Sequence, residues 1–343
     1  YYPKLCLVQV STGEEIAAID PLSIDDLTPL VRLFEDPKIV KVIHACSQDL
    51  EVLLYGMHCA CAPVFDTQLA AAFLGMRQQA SYASVVEHYM GVHLPKTESL
   101  TDWSRRPLDP EQLVYAEDDV RYLPDIYRCM YERLMKTNRL SWLMPEMSAY
   151  TAPENFKRDP KEAYLHLKRS NSLTRRQMAL AREICAWREE RAAQHNIPRK
   201  WIISDETLVE ICKRSPATSE RLKRIRGTES LSQESVASIL AAIKVGRSIP
   251  PEECPVIEHH SRPAAGSEGV LELMYALVKI VSEKEGIAPQ FIANKNDLAD
   301  LLAQKKDSKL SCGWRHELVG KQLQGLLAGE VGLTVKCGHV ELL

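Results

Sequence analysis

An α/β domain followed by two related helical domains is the fold the sequence predicts, and three observations predict it. Short apolar runs alternate with helical periodicity over residues 5–150. Strand-like runs then stop, and in the helical remainder one pattern of residues recurs ninety positions further along. At 343 residues the chain is long enough for more than one core. A hydrophobic content of 45% and a charged content of 26% suit a soluble multidomain protein. No apolar run approaches the roughly 18 residues that cross a bilayer, so a membrane span is not expected, and no signal peptide is visible. The ten cysteines are scattered through helical patterns, which predicts reduced thiols and a cytoplasmic location. Cys59 and Cys61 form the close pair, without the two further ligands that zinc requires.

Residues 5–10 (LCLVQV) and 16–19 (IAAI) flank Ser11-Thr12-Gly13-Glu14 and read as a hairpin of two strands. Helical spacing follows over 27–33, and 39–45 (IVKVIHA), bounded by Asp36-Pro37, reads as a buried strand. From Ser47 a helix turns Leu50, Leu53, Leu54 and Met57 inward. Asp49 then sits in the first helical turn at the carboxyl end of a strand, where open α/β sheets place ligands. An acid there is also favoured by the helix dipole, by about 0.3–1 kcal/mol. Asp66 reads as the N-cap of an alanine-rich helix. Residues 96–103 are polar with one aromatic and read as a surface loop, in which Trp103, Arg105 and Arg106 could offer a stacking platform and phosphate contacts.

The helix over 112–123 (QLVYAEDDVRYL) starts from Asp109 as N-cap and Pro110 at the first helical position. Leu113, Ala116, Val120, Leu123, Tyr127, Met130 and Leu134 form one apolar stripe. At about 100° per residue, Tyr115 and Asp119 share the edge of that stripe while Asp118 points away. Asp119 is therefore the acid aimed at a cleft.

Periodicity lapses over 151–162, which reads as a linker, and again over the proline-rich 249–266. Asn196-Ile197-Pro198-Arg199-Lys200-Trp201-Ile202 with Leu208 is echoed by Gly286-Ile287-Ala288-Pro289-Gln290-Phe291-Ile292 with Leu298, each set preceded by an amphipathic helix. The expected domains are thus 1–150, 163–248 and 267–343. Charge is uneven: in residues 161–250 eighteen Lys and Arg stand against ten Asp and Glu, although the whole chain carries −3. Arg221, Lys223, Arg224 and Arg226 make a basic turn suited to a nucleic-acid backbone.

Acids at Asp49 and Asp119, a tyrosine one turn before the second, and a basic helical tail point to metal-dependent phosphodiester chemistry. Two divalent ions can generate hydroxide from water and neutralise attacking and leaving oxygens, and an all-oxygen ligand set suits Mg²⁺ or Mn²⁺. Residues 44–51 (HACSQDLE), Tyr115 to Asp119 (YAEDD) and 98–108 (ESLTDWSRRPL) together resemble the second and third motifs and the intervening loop of the bacterial ribonuclease D family. That family belongs to the exonuclease superfamily named for four acids, in its tyrosine variant. The two helical repeats are similar to its tandem helicase-and-ribonuclease-D C-terminal (HRDC) domains.

The resemblance implies a ribonuclease H-like exonuclease domain followed by two small all-α HRDC domains. It implies a 3′–5′ exoribonuclease that trims tRNA precursors and other small structured RNAs, with two Mg²⁺ or Mn²⁺ ions and no obligate protein partner. Asp119 would ligate metal directly, Asp49 would support the second ion, and Tyr115 would orient the attacking water. His44, Trp103, Arg105 and Arg106, with Arg221, Lys223, Arg224 and Arg226, are the expected nucleic-acid contacts. The family's first motif, an Asp-x-Glu on a central strand, would lie just before Tyr1, so the expectation is a sheet lacking that strand in a truncated form of an active enzyme. A catalytically inactive RNA-binding homologue and a DNA-directed exonuclease are the alternatives. Removing everything after Pro160 is expected to weaken binding of structured RNA more than cleavage of a short strand.

Overall fold

The computed structural model describes residues 1–95, 101–256 and 266–343. The expected loop over 96–103 and the proline-rich linker fall partly outside them. Contacts group the chain into two compact units, one of Tyr1–Pro3 with the described residues from Phe156 to Val256, the other of Lys4–Asn155 with the described residues from Gly266 onward.

The second unit opens with strands β1 (Val8–Ser11) and β2 (Ile16–Ile19), paired antiparallel with Ser11 opposite Ile16. The expected hairpin is present, although its first strand begins three residues later than the apolar run. Helix α1 (Thr28–Glu35) leads to β3 (Lys41–Ile43), α2 (Ser47–Met57) and β4 (Val64–Asp66), and β3 and β4 pair in parallel with Ile43 opposite Asp66. Strand β4 escapes sequence reading because three residues are too few to show a period. Helices α3 (Thr67–Phe73) and α4 (Tyr82–Met90) follow.

The single apolar stripe expected over 113–134 is divided between α5 (Pro110–Arg121) and α6 (Leu123–Lys136), joined at Tyr122. Pro124 is the physical reason, since it lacks an amide donor and disfavours helical geometry in the residue before it. Only part of the stripe is buried: Ala116, Leu123, Met130 and Leu134 are, while Leu113 is 38% exposed and the polar Gln112 takes the inward position. Helix α5 packs on the β1–β2 hairpin, and α6 packs against α3, α4 and β3. Helix α7 (Leu140–Tyr150) completes this part.

The first unit holds α8 (Arg175–His195), α9 (Arg199–Ile202), α10 (Asp205–Arg214), α11 (Ser219–Lys223) and α12 (Gln233–Ser248) around a core of Ile184, Leu208, Ile211, Leu222 and Ile239. The second unit resumes with α13 (Glu268–Glu285), α14 (Pro289–Ile292), α15 (Lys295–Leu302), α16 (Gly313–Arg315) and α17 (Lys321–Ala328). The ninety-residue repeat is visible in the backbone itself. Asn196 and Gly286 both end their helices in the left-handed conformation, at φ of 47° and 63°. Pro198 and Ala288 share φ near −57° and −55°, and Ser204 and Asn294 each cap the next helix through their side chains.

Two findings depart from expectation. The last domain is not all-α, because β5 (Leu333–Lys336) and β6 (His339–Leu342) close it as an antiparallel ribbon. Its tight turn is made by Cys337 and Gly338, both at positive φ, as a two-residue hairpin requires. More consequentially, residues from Gly266 onward share one apolar core with the α/β part. Phe73, fully buried on α3, meets Phe291 edge-on at 4.8 Å and Trp314 at 5.1 Å, while Trp142 of α7 stacks on Trp314 at 5.8 Å. Glu146 accepts from Trp314 Nε1 at 2.9 Å and pairs with Arg315, and Arg139 donates to Phe73 O at 2.8 Å and to the carbonyl of Glu285. Gly75, at φ +92°, leaves no room for a Cβ, which would stand 2.4 Å from the carbonyl oxygen of Gly286.

Candidate active site

Parallel pairing of β3 and β4 sets the carboxyl ends of both strands side by side, and α2 begins just beyond β3. Asp66 ends β4 and is 1% exposed. Its carboxylate accepts from the amides of Gln68 at 2.7 Å and Leu69 at 3.2 Å, capping α3 as expected. It also accepts from the amides of Ala45 at 3.2 Å and Cys46 at 2.9 Å, fixing the turn that enters α2. That second role was not visible in the sequence, since its partners lie twenty or so residues upstream, in the turn that follows another strand. The turn needs fixing because Ala45 adopts φ +57°, a conformation unfavourable for a residue bearing a Cβ.

Asp49 follows in the first turn of α2. Although Asp49 is exposed at the surface, the protein packed around its carboxyl strips enough water to raise it to about 6, with the charge of Asp66 adding to the effect. Asp119, half-buried on α5, is also raised to about 6, first by burial, then by Asp118 and Asp49. Each acid therefore feels like charge, and among the described residues no cation offsets either shift. Tyr115, one turn before Asp119, is pushed up by burial and by the charge of Asp119, so it stays a phenol able to donate. Asp118 is engaged elsewhere, accepting from Arg121 Nε at 2.9 Å. The structure thus brings Asp49, Asp119 and Tyr115 to one side of the fold and ties Asp118 down.

Two acids carrying uncompensated negative charge, both oxygen donors, fit a hard divalent cation. Among the described residues no group of three or more His, Cys, Asp or Glu side chains is placed to hold one ion, so further oxygens must complete a two-ion site. A pH dependence follows. The unfolded carboxyls titrate near pH 4, so raised folded values mean that the metal-free protein loses stability as pH rises from about 4 through 6. In chelator, an Asp49→Asn/Asp119→Asn variant should melt higher than the parent at pH 7.5, chiefly through Asp119 because the exposed Asp49 is screened by solvent, with the gap about halved at pH 5 and closed near pH 4. A gap independent of pH would contradict the like-charge arrangement.

The expected nucleic-acid contacts divide into free and engaged groups. His44, half-buried, has Nδ1 at 2.9 Å from Thr67 Oγ1 and Nε2 at 3.0 Å from Ala80 O, and burial keeps it neutral. Trp103 lies 6.1 Å from the Tyr115 ring, and Arg105 is exposed. The reading of Arg106 as a phosphate contact is corrected: its Nε donates to Asp20 Oδ2 and its Nη2 to Asp20 Oδ1, both at 2.6 Å. The same side chain reaches the carbonyls of Cys6, Trp103 and Arg105, so all five donors are used within the protein. In the first unit, Arg221 and Lys223 on α11 and Arg224 and Arg226 in the turn that follows it are all exposed, and the segment is plugged into the core by Leu222 and Ile225. The Thr228 hydroxyl donates to the carbonyls of both plug residues, at 2.8 and 2.7 Å.

Comparison with known proteins gives this geometry a context. A 3′–5′ exonuclease family profile matches residues 1–135, and an HRDC domain profile matches 177–243. A ribonuclease D of Granulibacter bethesdensis is 37% identical over 351 residues, spanning 100% of this chain and 88% of the relative. That of Bartonella henselae is 35% identical, spanning 99% and 85%. The crystal structure of Escherichia coli RNase D, described as an exoribonuclease involved in structured RNA processing, superposes with a TM-score of 0.80 at 30% identity, covering 96% of this chain and 90% of that one. The catalytic core of RRP6 from Trypanosoma brucei superposes at 0.51 with 25% identity, covering 70% and 68%. The likeness runs to named ribonucleases, against the inactive and DNA-directed alternatives.

Proposed function

This chain belongs to the ribonuclease D family and is a 3′–5′ exoribonuclease; from that premise we propose that Asp49, Asp119 and Tyr115 form its catalytic centre and that it trims the 3′ ends of tRNA precursors and other small structured RNAs. The observation that carries the proposal is that Asp119 on α5 feels the charge of Asp49, which stands in the first turn of α2 just beyond β3, and that both carboxyls are raised to about 6. Divalent ions such as Mg²⁺ or Mn²⁺, two per site, would be held by these acids and would supply activation of water and neutralisation of charge on the leaving oxygen. Asp119 would hold one metal directly, and Asp49 would support the second. Tyr115 keeps its proton at neutral pH and orients the attacking water through its hydroxyl. His44, held by Thr67 and Ala80, stiffens the end of β3 beside the site. Trp103 supplies a face for the terminal base and Arg105 a phosphate contact.

A 5′-labelled tRNA precursor should shorten stepwise from its 3′ trailer when Mg²⁺ or Mn²⁺ is supplied; internal cuts or an intact trailer would overturn the substrate reading.

Residues 163–248 and 267–343 are read as two HRDC domains, supported by matching backbone geometry at positions ninety apart. The basic turn of the first is read as the backbone clamp. Changing Arg221, Lys223, Arg224 and Arg226 together to alanine should reduce the salt dependence of structured-RNA binding by up to about four phosphate contacts and lower affinity, while trimming of a short strand holds. An unchanged salt slope would remove the clamp.

A further inference from the structure

We infer that Arg106 is a positioning residue of the active site: bound to Asp20 and to the carbonyls of Cys6, Trp103 and Arg105, it locks the loop over 101–109 so that Trp103 stands beside Tyr115. The inference rests on the exonuclease reading of Tyr115. The geometry is that of a three-point tie. One guanidinium edge makes a two-point pair with the Asp20 carboxylate just after β2, at 2.6 Å on both oxygens. Nη2 reaches the Cys6 carbonyl at 2.7 Å, and Nη1 reaches the carbonyls of Trp103 at 2.9 Å and Arg105 at 2.8 Å. The paired carboxylate is itself fixed, accepting from the Leu22 amide at 3.0 Å and the Ser23 hydroxyl at 2.9 Å.

The loop is held at its other end as well. The buried Gln112 side chain donates to Thr101 Oγ1 at 2.6 Å and accepts from the Asp109 amide at 2.8 Å. Gln112 stands one turn before Tyr115 on the same helix, so both anchors refer the loop to α5 or to the hairpin on which α5 packs. Between the anchors, Trp103 is half-buried with its ring centroid 6.1 Å from that of Tyr115, tilted by 37°, and Arg105 faces solvent. Lysine cannot replace Arg106, because an ammonium has three donors without a planar fork.

A double-mutant cycle on the full-length enzyme tests the coupling. Arg106→Ala should lower kcat/KM for an oligoribonucleotide by about 30-fold through misplacement of the loop, but by no more than about threefold in a Trp103→Ala background. Hydrogen exchange should quicken at the amides of residues 101–105 in Asp20→Asn while those of α6 keep their protection. The Asp20 variant also replaces Arg106→Ala in the cycle if the latter does not fold. Losses that multiply independently, or exchange that stays at the parent rate, would overturn the positioning role. A parent enzyme that leaves RNA intact would fail the exonuclease reading first and take the catalytic role of the tie with it, whereas normal parent cleavage with an unchanged Arg106 variant defeats the tie alone.

Discussion

Replacing Asp119 by asparagine should abolish RNA turnover, a loss on the order of 10³-fold or more, because a metal-held charge supplies several kcal/mol to the transition state. Its neighbour Asp118 should tolerate the same change, with kcat/KM within about fivefold, since its carboxylate serves only a partly exposed pair with Arg121. The two variants differ by one position on α5, so they isolate direction rather than local charge. Asp119 feels Asp49 and is half-buried, whereas Asp118 is held by Arg121 at 2.9 Å. Initial rates on a 5′-labelled oligoribonucleotide decide the matter, and equal losses in both variants would refute the register.

The second large effect concerns the C-terminal segment. Trp314→Ala should cost about 3–5 kcal/mol, as expected for deleting a buried aromatic. At about 2–4 °C per kcal/mol for a unit of this size, that is a fall in Tm on the order of 10 °C. The loss should appear in the melting of the exonuclease part itself, because Trp314 touches Phe73 and Trp142 and donates to Glu146. The equivalent of Phe291 in the first repeat is Trp201, which is 68% exposed, and its replacement by alanine should shift stability by no more than about 0.5 kcal/mol. Calorimetry on both variants provides the check; similar losses would mean that the shared core is not what stabilises the unit. The same packing revises the expectation for truncation after Pro160. That cut removes the cover over Phe73, so it should yield aggregated protein rather than a competent nuclease with weaker RNA affinity.

Why some of this was legible in the sequence and some was not comes down to the range of the interactions. The start of α5 was legible because Asp109 and Pro110 act within one turn. So was the cap at Asp66, whose amide partners are two and three residues away. The repeat was legible because each copy satisfies the same local demands at its helix ends. The roles hidden from sequence join distant segments: Asp66 to Ala45 and Cys46, Arg106 to Asp20 and Cys6, Arg139 to Glu285. Arg106 shows the difficulty most clearly. A basic residue beside a tryptophan in a polar loop has the composition of a phosphate contact, yet a carboxylate 86 residues upstream claims it. Likewise the wheel placed Leu113 inward, but Gln112 takes that position because its amide closes the loop ahead of it.

The central claim is that Asp49 and Asp119 share a metal centre, and Mn²⁺ titration of the enzyme followed by electron paramagnetic resonance tests it most directly. The parent should bind two ions as a spin-coupled pair, with affinity falling as pH drops below about 6, where both acids take up protons. Asp119→Asn should lose tight binding and Asp49→Asn should lose the coupled signal. Two coupled ions retained in both variants would contradict the account.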